Sequence, residues 1–498
     1  MEIFTPERLE PFFANGLKDF SNYGIYMLSM QTARGALAFA VNLGDRDAVL
    51  AAASIGFVGE SFTACGREWT LAEQTHENAV ILRKVFPFTA PRAVLRENRS
   101  FGLGDRIGLA GAGQLRVFRE YDALPVLAQQ SVRELELTGR SLEEVLDCAS
   151  FAAFREGFTR GFGADGDCLK TAEEVEYAVS CGCTMITLEC SGDIRNDVQS
   201  MSLEQLRAAY RGNKEPEEKY IGKSFEVEGG RISFDEESFM RTSLICAGAV
   251  DRAVDIFKKC IEGREDRLDL EISVAAATFP TTPEQHFYMA KELTDRGVSP
   301  AAFAPRFIGE FHSGIDYIGD VAAFEEQLKL HAAIARKFGY KLSIHAGSDK
   351  LSVLASIGKY TKGHFHVKTS GTSWLEAMKI VAEHDPALYR KCHRSALDAA
   401  FAEAKEYRHV TADPTDIPSL DCLADEELPG LFDNDDVRQL IHTAYGHILN
   451  DPGLRQSLFD TWRTFRGEYD TALYAHIGAH LRLLYNGFYS FIFPNRKF

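Results

Sequence analysis

Five polar side chains stand in short apolar segments where a β-strand would point all of them to one face: Glu189, Glu271, His345, His366 and Lys368. Successive side chains of a strand alternate between its two faces. In residues 268–276 (LDLEISVAA), Glu271 falls on the face opposite the leucine, isoleucine and valine. The same alternation in residues 185–189, 341–346 and 364–369 turns the other four side chains away from the apolar face.

Carboxylates, imidazoles and an ammonium that converge are what a metal-assisted reaction on a polar substrate needs. A barrel interior is ordinarily filled by branched apolar side chains. An isolated charge there is costly unless it is paired or bound to a metal. One such histidine alone is better explained as a hydrogen-bonded core residue, whereas the five together favour a shared polar site.

Short strand-like runs alternate with longer amphipathic segments from about residue 90 to residue 385. This alternating pattern predicts the strands and helices that position the five side chains. Strands are expected at residues 162–167, 185–189, 268–276, 301–308, 340–346 and 364–369, with weaker candidates at 92–96 and 115–121. A helix is expected at residues 321–338. Repeated strand–helix units indicate a parallel sheet. A count near eight favours a closed, TIM-like (β/α)₈ barrel of the α/β class over an open sheet.

Three regions follow from this pattern. Residues 1–90 form an N-terminal α/β segment, residues 91–385 the catalytic (β/α)₈-type barrel, and residues 386–498 a helical C-terminal extension. The extension packs either on the barrel or on a neighbouring subunit, so a homo-oligomer stays open.

Glycines at residues 102 and 104 (GLGDR) resemble part of a dinucleotide fingerprint, but the third glycine would have to stand at Ile107. The segment instead predicts a turn at a strand end that holds Asp105 and Arg106.

The charge balance and the absence of targeting patterns restrict the partners. The 55 Lys+Arg against 72 Asp+Glu give a net charge of −17, which argues against a nucleic-acid surface but allows a small anionic ligand in a locally basic pocket. The first ten residues carry no signal pattern, and no apolar run reaches the ~18 residues of a membrane span. We expect a cytoplasmic protein that binds neither nucleic acid nor membrane, with its cysteines as free thiols.

Several long motifs resemble one known family, the tagaturonate epimerases (tagaturonate/fructuronate epimerases) of bacterial hexuronate catabolism. The motifs are residues 165–171 (DGDCLKT), 305–320 (PRFIGEFHSGIDYIGD), 343–350 (SIHAGSDK), 100–109 (SFGLGDRIGL), 131–134 (SVRE) and 366–376 (HVKTSGTSWLE). The family interconverts D-tagaturonate and D-fructuronate with a divalent metal cation. The resemblance therefore implies an isomerase, a carbohydrate epimerase that acts on a small sugar acid.

Carried over by motif, Asp167 resembles the proton acceptor and Glu271 its proton-donor partner, while His312 and His345 resemble metal ligands. Strand alternation had already singled out Glu271 and His345.

The substrate carboxylate needs a cation, for which Lys350, Arg306 and Lys368 are candidates. His366 and Glu189 are further candidates for substrate binding.

Two positions depart from the family pattern. Cys168 stands where the family has a metal-binding histidine, and residues 275–277 are alanines where the family continues with acidic residues. A thiolate ligates zinc and other borderline ions, so Cys168 is a candidate third ligand. The identity of the metal, among Zn, Mn, Co and Ni, stays open.

The two hexulosonates differ at a carbon whose hydrogen the ketone does not activate. A retro-aldol cleavage to a metal-stabilised enediolate, followed by rotation and recondensation, would invert that carbon, with Asp167 and Glu271 as acid–base groups. Transient oxidation would need a bound nicotinamide.

Two other functions stay open. Cys168 and the alanine run are compatible with a repurposed or non-catalytic paralogue that binds a sugar acid. A metal-dependent hydrolase on the same barrel would usually carry a His-x-His pair on its first strand, whereas this chain has that pair late, at residues 364–366.

Overall fold

The computed structural model describes residues 24–32, 35–43, 46–64, 67–212, 214–369, 371–403, 411–412 and 416–492. In these residues the strands, numbered in chain order, are β1 Gly24–Gln31, β2 Leu37–Asn42, β3 Asp47–Ala52, β4 Glu60–Ala64, β5 Arg67–Glu73, β6 Arg99–Gly102, β7 Leu124–Ser131, β8 Gly163–Leu169, β9 Met185–Glu189, β10 Lys223–Val227, β11 Gly230–Phe234, β12 Asp269–Ser273, β13 Ala302–Ala304, β14 Lys341–Ile344 and β15 Phe365–Lys368.

The α-helices of the same residues are His76–Val85, Gly111–Val117, Val132–Thr138, Leu142–Glu156, Ala172–Cys181, Leu203–Ala209, Lys214–Tyr220, Glu236–Ile256, Pro283–Asp295, Val321–Phe338, Leu351–Tyr360, Ser373–His384, Pro386–Glu403, Asp435–Thr443, Tyr445–Asn450, Pro452–Thr464 and Arg466–Ile492. A π-helical turn at Phe257–Ile261 continues the helix Glu236–Ile256.

Eight strands close into a barrel in the order β12, β13, β14, β15, β6, β7, β8, β9. Strand β12 pairs in parallel with β9 and β13, and β15 with β14 and β6. Glu271 lies opposite Thr187 and Ala302, and His366 opposite Ser343 and Ser100. Residues at one level of a parallel sheet point to the same face, so these side chains share the barrel interior. The predicted (β/α)₈ barrel is confirmed.

Local signals fix the ends of the helices between the strands. Thr282 accepts a hydrogen bond from the Gln285 amide, and Pro283 occupies the first turn, the arrangement that satisfies free N–H groups at a helix start. The helix Val321–Phe338 begins after the capping Asp320 and ends at Gly339, whose φ is 78°. Its predicted bounds are confirmed.

Both of the weaker strand predictions are wrong. Residues 92–96 form no strand; the amides of Val94 and Leu95 donate to the Asp269 carboxylate, and the strand follows at Arg99–Gly102. Residues 115–121 begin in the helix Gly111–Val117, and the strand is Leu124–Ser131. In a short apolar run, periodicity does not distinguish a strand from a helix.

Strand β13 is also shorter than predicted, because Ala302–Ala304 is followed by Pro305. Proline has no N–H to donate to a neighbouring strand.

The chain forms two compact units. One consists of residues up to Arg92, of Leu103–Ala164 and of Gly371–Gly478; the other consists of Ala93–Gly102, Asp165–Ser370 and the residues from Ala479. The boundaries expected at residues 90 and 385 stay predictions.

The first unit contains the expected N-terminal α/β segment and C-terminal helices. Its antiparallel sheet has the order β1-β2-β3-β5-β4. In its helical part, Trp374 donates to the Ile441 carbonyl and Trp462 to the Ala377 carbonyl. The turn after β6 is closed by Asp105, whose carboxylate accepts the amides of Gly108 and Ala110. Within the described chain, no helix combines the length and the apolarity needed to cross a bilayer.

Candidate active site

The Lys368 ammonium, at the end of β15, lies among three carboxylates of the second unit. Its Nζ is 2.6 Å from Asp167 Oδ1, 2.7 Å from Asp165 Oδ2 and 3.4 Å from Glu271 Oε1. Lys368 is 2% exposed, and Asp165 and Glu271 are fully buried. The structure therefore brings three of the predicted site residues, Asp167, Glu271 and Lys368, to one point in the barrel interior.

Thr187 and His345 complete this cluster. Thr187 Oγ1 accepts from Lys368 Nζ at 2.7 Å and donates to Asp165 at 3.0 Å. His345 Nε2 lies 2.6 Å from Glu271 Oε1. We call these six residues, Asp165, Asp167, Thr187, Glu271, His345 and Lys368, the carboxylate cluster.

The carboxylate cluster separates the pKa values of its acids. Burial raises the pKa of Asp165 to about 7 against the attraction of Lys368, and the charges of Asp167 and Glu271 raise it further. Burial also opposes ionisation of Asp167 and Glu271, but Lys368 and His345 hold the pKa of both below the usual range. Two ionised carboxylates thus stand beside one that takes up a proton near neutral pH.

Cys168 follows Asp167 at an irregular point of β8. Its φ is 61°, in the left-handed region, and the β8–β9 register shifts between Gly166 and Leu169. Its thiol donates to Asp167 Oδ1 at 3.5 Å, and burial raises its pKa well above the ordinary value. Strained backbone of this kind is common at functional sites. Ala346, directly after His345, also has a left-handed φ, of 47°.

His312 lies in the loop after β13. Its Nε2 is 3.5 Å from Glu310 Oε2, and the side chain is buried. Lys350, also buried, donates from Nζ to the carbonyls of His312 and Ile315, each at 2.6 Å, and to the Ser348 carbonyl at 3.0 Å. In the structure Lys350 thus braces the loop that carries His312; its role as a substrate cation stays a prediction.

Arg306 and Glu189 form hydrogen bonds with residues outside the carboxylate cluster. Arg306 Nη2 donates to Glu310 at 3.0 Å. Glu189 accepts from the Ser191 amide at 2.6 Å and from the Ser273 hydroxyl at 3.3 Å. Their roles in substrate binding also stay predictions.

His366 lies one level nearer the amino-terminal ends of the strands. Its Nδ1 is 2.9 Å from Ser100 Oγ, which in turn accepts from Lys341 Nζ at 2.7 Å. Burial lowers the pKa of Lys341 to about 7 and that of His366 to about 3.

Sequence reasoning missed Asp165, Ser100 and Lys341 as members of this interior. Asp165 stands two residues before Asp167 and Lys341 two before Ser343, so strand alternation carried a signal for both. Alternation gave no signal for Ser100, because the strand predicted in this region covers residues 92–96 and does not include it.

The resemblance implies a divalent cation, and the donor atoms present fit one in kind. The imidazoles of His312 and His345 and the thiol of Cys168 suit borderline ions. Three buried carboxylates also face the single Lys368 ammonium, so the cluster can accept further positive charge. In the described residues, the ligand atoms of His312, His345 and Cys168 do not all lie within 4.8 Å of one another.

Another group with metal-binding side chains lies at the surface of the first unit. Glu383, His384 and Glu468 each bring one ligand atom within 4.8 Å of the others.

Comparison with known proteins agrees with the fold and shows the family of the chain. A model of the tagaturonate epimerase family matches residues 26–484. The tagaturonate/fructuronate epimerase of Thermotoga maritima is 41% identical over 429 residues, which cover 84% of this chain and 87% of that protein.

Two crystal structures of fructuronate-tagaturonate epimerase from Cohnella laeviribosi are also similar. The native structure has a TM-score of 0.90 at 41% identity and covers 95% of this chain and 97% of its own. A glycerol complex has a TM-score of 0.89 at 42% identity and covers 93% and 97%. The chain belongs to the tagaturonate epimerase family, whose named members are isomerases.

Proposed function

We propose that this protein interconverts D-tagaturonate and D-fructuronate in a metal-dependent epimerisation. The observation that carries the proposal is the position of Asp167 on β8 and Glu271 on β12, whose carboxylates both lie within 3.4 Å of the Lys368 ammonium. Relatives that share about two-fifths of the sequence over most of the chain bear the name of this activity.

The reaction requires one group that removes a proton from a substrate hydroxyl and another that returns a proton to that oxygen. In a retro-aldol path, the base takes the proton of the hydroxyl on the carbon to be inverted, and the bond from that carbon toward the ketone-bearing carbon breaks. The electron pair of the broken bond passes into the ketone half, which becomes an enediolate, while the other half becomes an aldehyde. Rotation of the aldehyde, bond formation on its other face and return of the proton give the epimer.

Asp167 and Glu271 occupy these two positions on separate strands. Lys368 lowers the pKa of both, so the carboxylate that returns a proton first has to receive one, and Asp165 is the neighbouring group that can supply it. The ordinary contribution of such acid–base groups is about 10²–10⁴-fold each. Lys368 keeps the two carboxylates ionised and holds them toward one another. Asp165, with a pKa raised to about 7 by burial, is the group of the cluster that stores a proton near neutral pH.

A divalent cation held by His312, His345 and Cys168 would supply Lewis-acid stabilisation to the substrate oxygens that gain negative charge. Lys350 keeps the His312 loop in place through its contacts with the carbonyls of His312 and Ile315.

The test is to follow D-tagaturonate by NMR with protein reconstituted separately with Zn²⁺, Mn²⁺, Co²⁺ or Ni²⁺, beside a chelator-treated sample. We expect D-fructuronate in at least one reconstituted sample and its loss after chelation. Unchanged D-tagaturonate in all four would contradict the proposed activity, and full activity after complete metal removal would contradict the metal dependence.

A further inference from the structure

Three buried polar atoms in the barrel interior have no hydrogen-bond partner among the described residues: Glu271 Oε2, Ser343 Oγ and His366 Nε2. Each of the three residues is 0% exposed. Buried polar groups of folded proteins are almost always paired with protein or with ordered water. Three such atoms in one region therefore point to a shared partner.

All three side chains face the barrel interior, and two of them lie on neighbouring strands. Ser343 and His366 are Cα partners on strands β14 and β15, and both side chains point into the barrel. Glu271, on β12, interacts electrostatically with His366. Its other oxygen, Oε1, is the atom that contacts His345 at 2.6 Å.

The hydrogen-bond pattern assigns a donor and an acceptor among the three atoms. Lys341 Nζ donates to Ser100 Oγ, so the Ser100 hydroxyl proton is free to point to His366 Nδ1. Burial lowers the pKa of His366 to about 3, so the ring is neutral at pH 7 and its one proton is on Nε2. His366 Nε2 is therefore a donor and Glu271 Oε2 an acceptor, while the Ser343 hydroxyl serves as either.

We propose that Glu271 Oε2, Ser343 Oγ and His366 Nε2 bind one internal water molecule. The water accepts from His366, donates to Glu271 and makes its third hydrogen bond with Ser343. Buried waters make about three hydrogen bonds on average, usually to polar groups that would otherwise be unpaired.

The water makes His366 a positioning residue for Glu271. One carboxylate oxygen is held by His345 and the other by the water, so the carboxylate plane is fixed from both ends. This catalytic consequence rests on the proposed function, in which Glu271 moves a proton, whereas the water site itself does not.

A high-resolution crystal structure of the metal-loaded protein tests the site directly. We expect one peak of ordered solvent within hydrogen-bond distance of all three atoms, with no anomalous signal at the absorption edge of the metal. Direct contact between His366 Nε2 and Glu271 Oε2, or a metal ion at this position, would overturn the proposal.

Two substitutions of one side chain separate positioning from a merely structural role. His366→Gln keeps an N–H donor near the position of Nε2, whereas His366→Asn keeps a polar atom only near Nδ1. We expect His366→Gln to retain kcat within about 3-fold and His366→Asn to lose about 10- to 100-fold, with KM nearly unchanged in both. Equal losses in the two variants, or a change confined to KM, would contradict the positioning role.

The two proposals fail separately. Solvent density at the three atoms in a protein that does not act on either hexulosonate would leave the water site standing and remove the proposed function. An active enzyme in which the three atoms contact one another directly would leave the proposed function standing and remove the water site.

Discussion

The Lys368 Nζ and the Asp167 Oδ1 lie 2.6 Å apart although 201 positions separate the two residues in the sequence. This contact joins β15 to β8 inside the barrel. Lys368 also contacts Asp165 and Glu271, so one ammonium balances carboxylates from two other strands. A buried charge that loses its partner is destabilising by about 3–5 kcal/mol.

Removal of that ammonium should therefore affect both folding and activity. We expect Lys368→Met to lower the free energy of unfolding by about 3–5 kcal/mol and to abolish epimerisation, because like-charged carboxylates would be left buried together. Urea unfolding and steady-state kinetics measure the two effects. The exposed Lys337→Met is the matched control and should change stability by less than about 0.5 kcal/mol. Equal effects in both variants would show that Lys368 is not the balancing charge.

Neutralising either proposed acid–base group should lower kcat with little change in KM. For Asp167→Asn and for Glu271→Gln we expect a loss of about 10²–10⁴-fold. Asp266→Asn, a change at an exposed carboxylate, should leave kcat as it is. A variant of Asp167 or Glu271 that keeps the full kcat would have no part in proton transfer.

The proposed metal ligands His345 and Cys168 lead to opposite expectations for two substitutions. We expect His345→Ala to lose bound metal and activity. Cys168→His should keep or raise both, because it restores the side chain that the family pattern has and because histidine is among the residues enriched at positive φ. Elemental analysis of the purified variants gives the metal content. A drop of several orders of magnitude in Cys168→His would show that the thiol has a role of its own.

A buried histidine pair makes stability depend on pH. His286 Nδ1 and His331 Nδ1 are 2.8 Å apart, Tyr340 donates to His286 Nε2, and His331 Nε2 donates to the Thr281 carbonyl. Burial lowers the pKa of His331 to about 4, and burial together with His331 lowers the pKa of His286 well below its ordinary value.

The sign follows from proton uptake. Below pH 6.5 the unfolded chain binds protons at these histidines while the folded chain does not, so stability falls as the pH drops from about 6.5 toward 4. His331 alone should contribute a loss of about 2 kcal/mol between pH 7 and pH 5. Urea unfolding at the two pH values measures it. The exposed His447→Gln should keep this pH dependence, whereas constant stability of the wild type would contradict the neutral buried pair.

Strand alternation was sufficient to place Glu271, His345 and Lys368 in one interior, because β12, β14 and β15 each have one apolar face. The helix Val321–Phe338 was predictable from its flanking Asp320 and Gly339. In these elements local preference and tertiary packing agree.

Other features depend on contacts that alternation does not encode. Asp269 binds the amides of Val94 and Leu95 across 174 or more positions, which moves the expected strand to Arg99–Gly102. The left-handed backbone at Cys168 interrupts the alternation of β8. Two partners of Lys350 are backbone carbonyls of a distant loop, which its residue type alone does not predict.

The proposed retro-aldol path is tested most directly by NMR of the metal-loaded protein with D-tagaturonate that carries deuterium on the carbon to be inverted. The retro-aldol path never breaks the carbon–deuterium bond, so we predict D-fructuronate that retains all of its deuterium, formed with only a small isotope effect on the rate. Release of the deuterium into water, or a large isotope effect that indicates hydride transfer, would contradict the account.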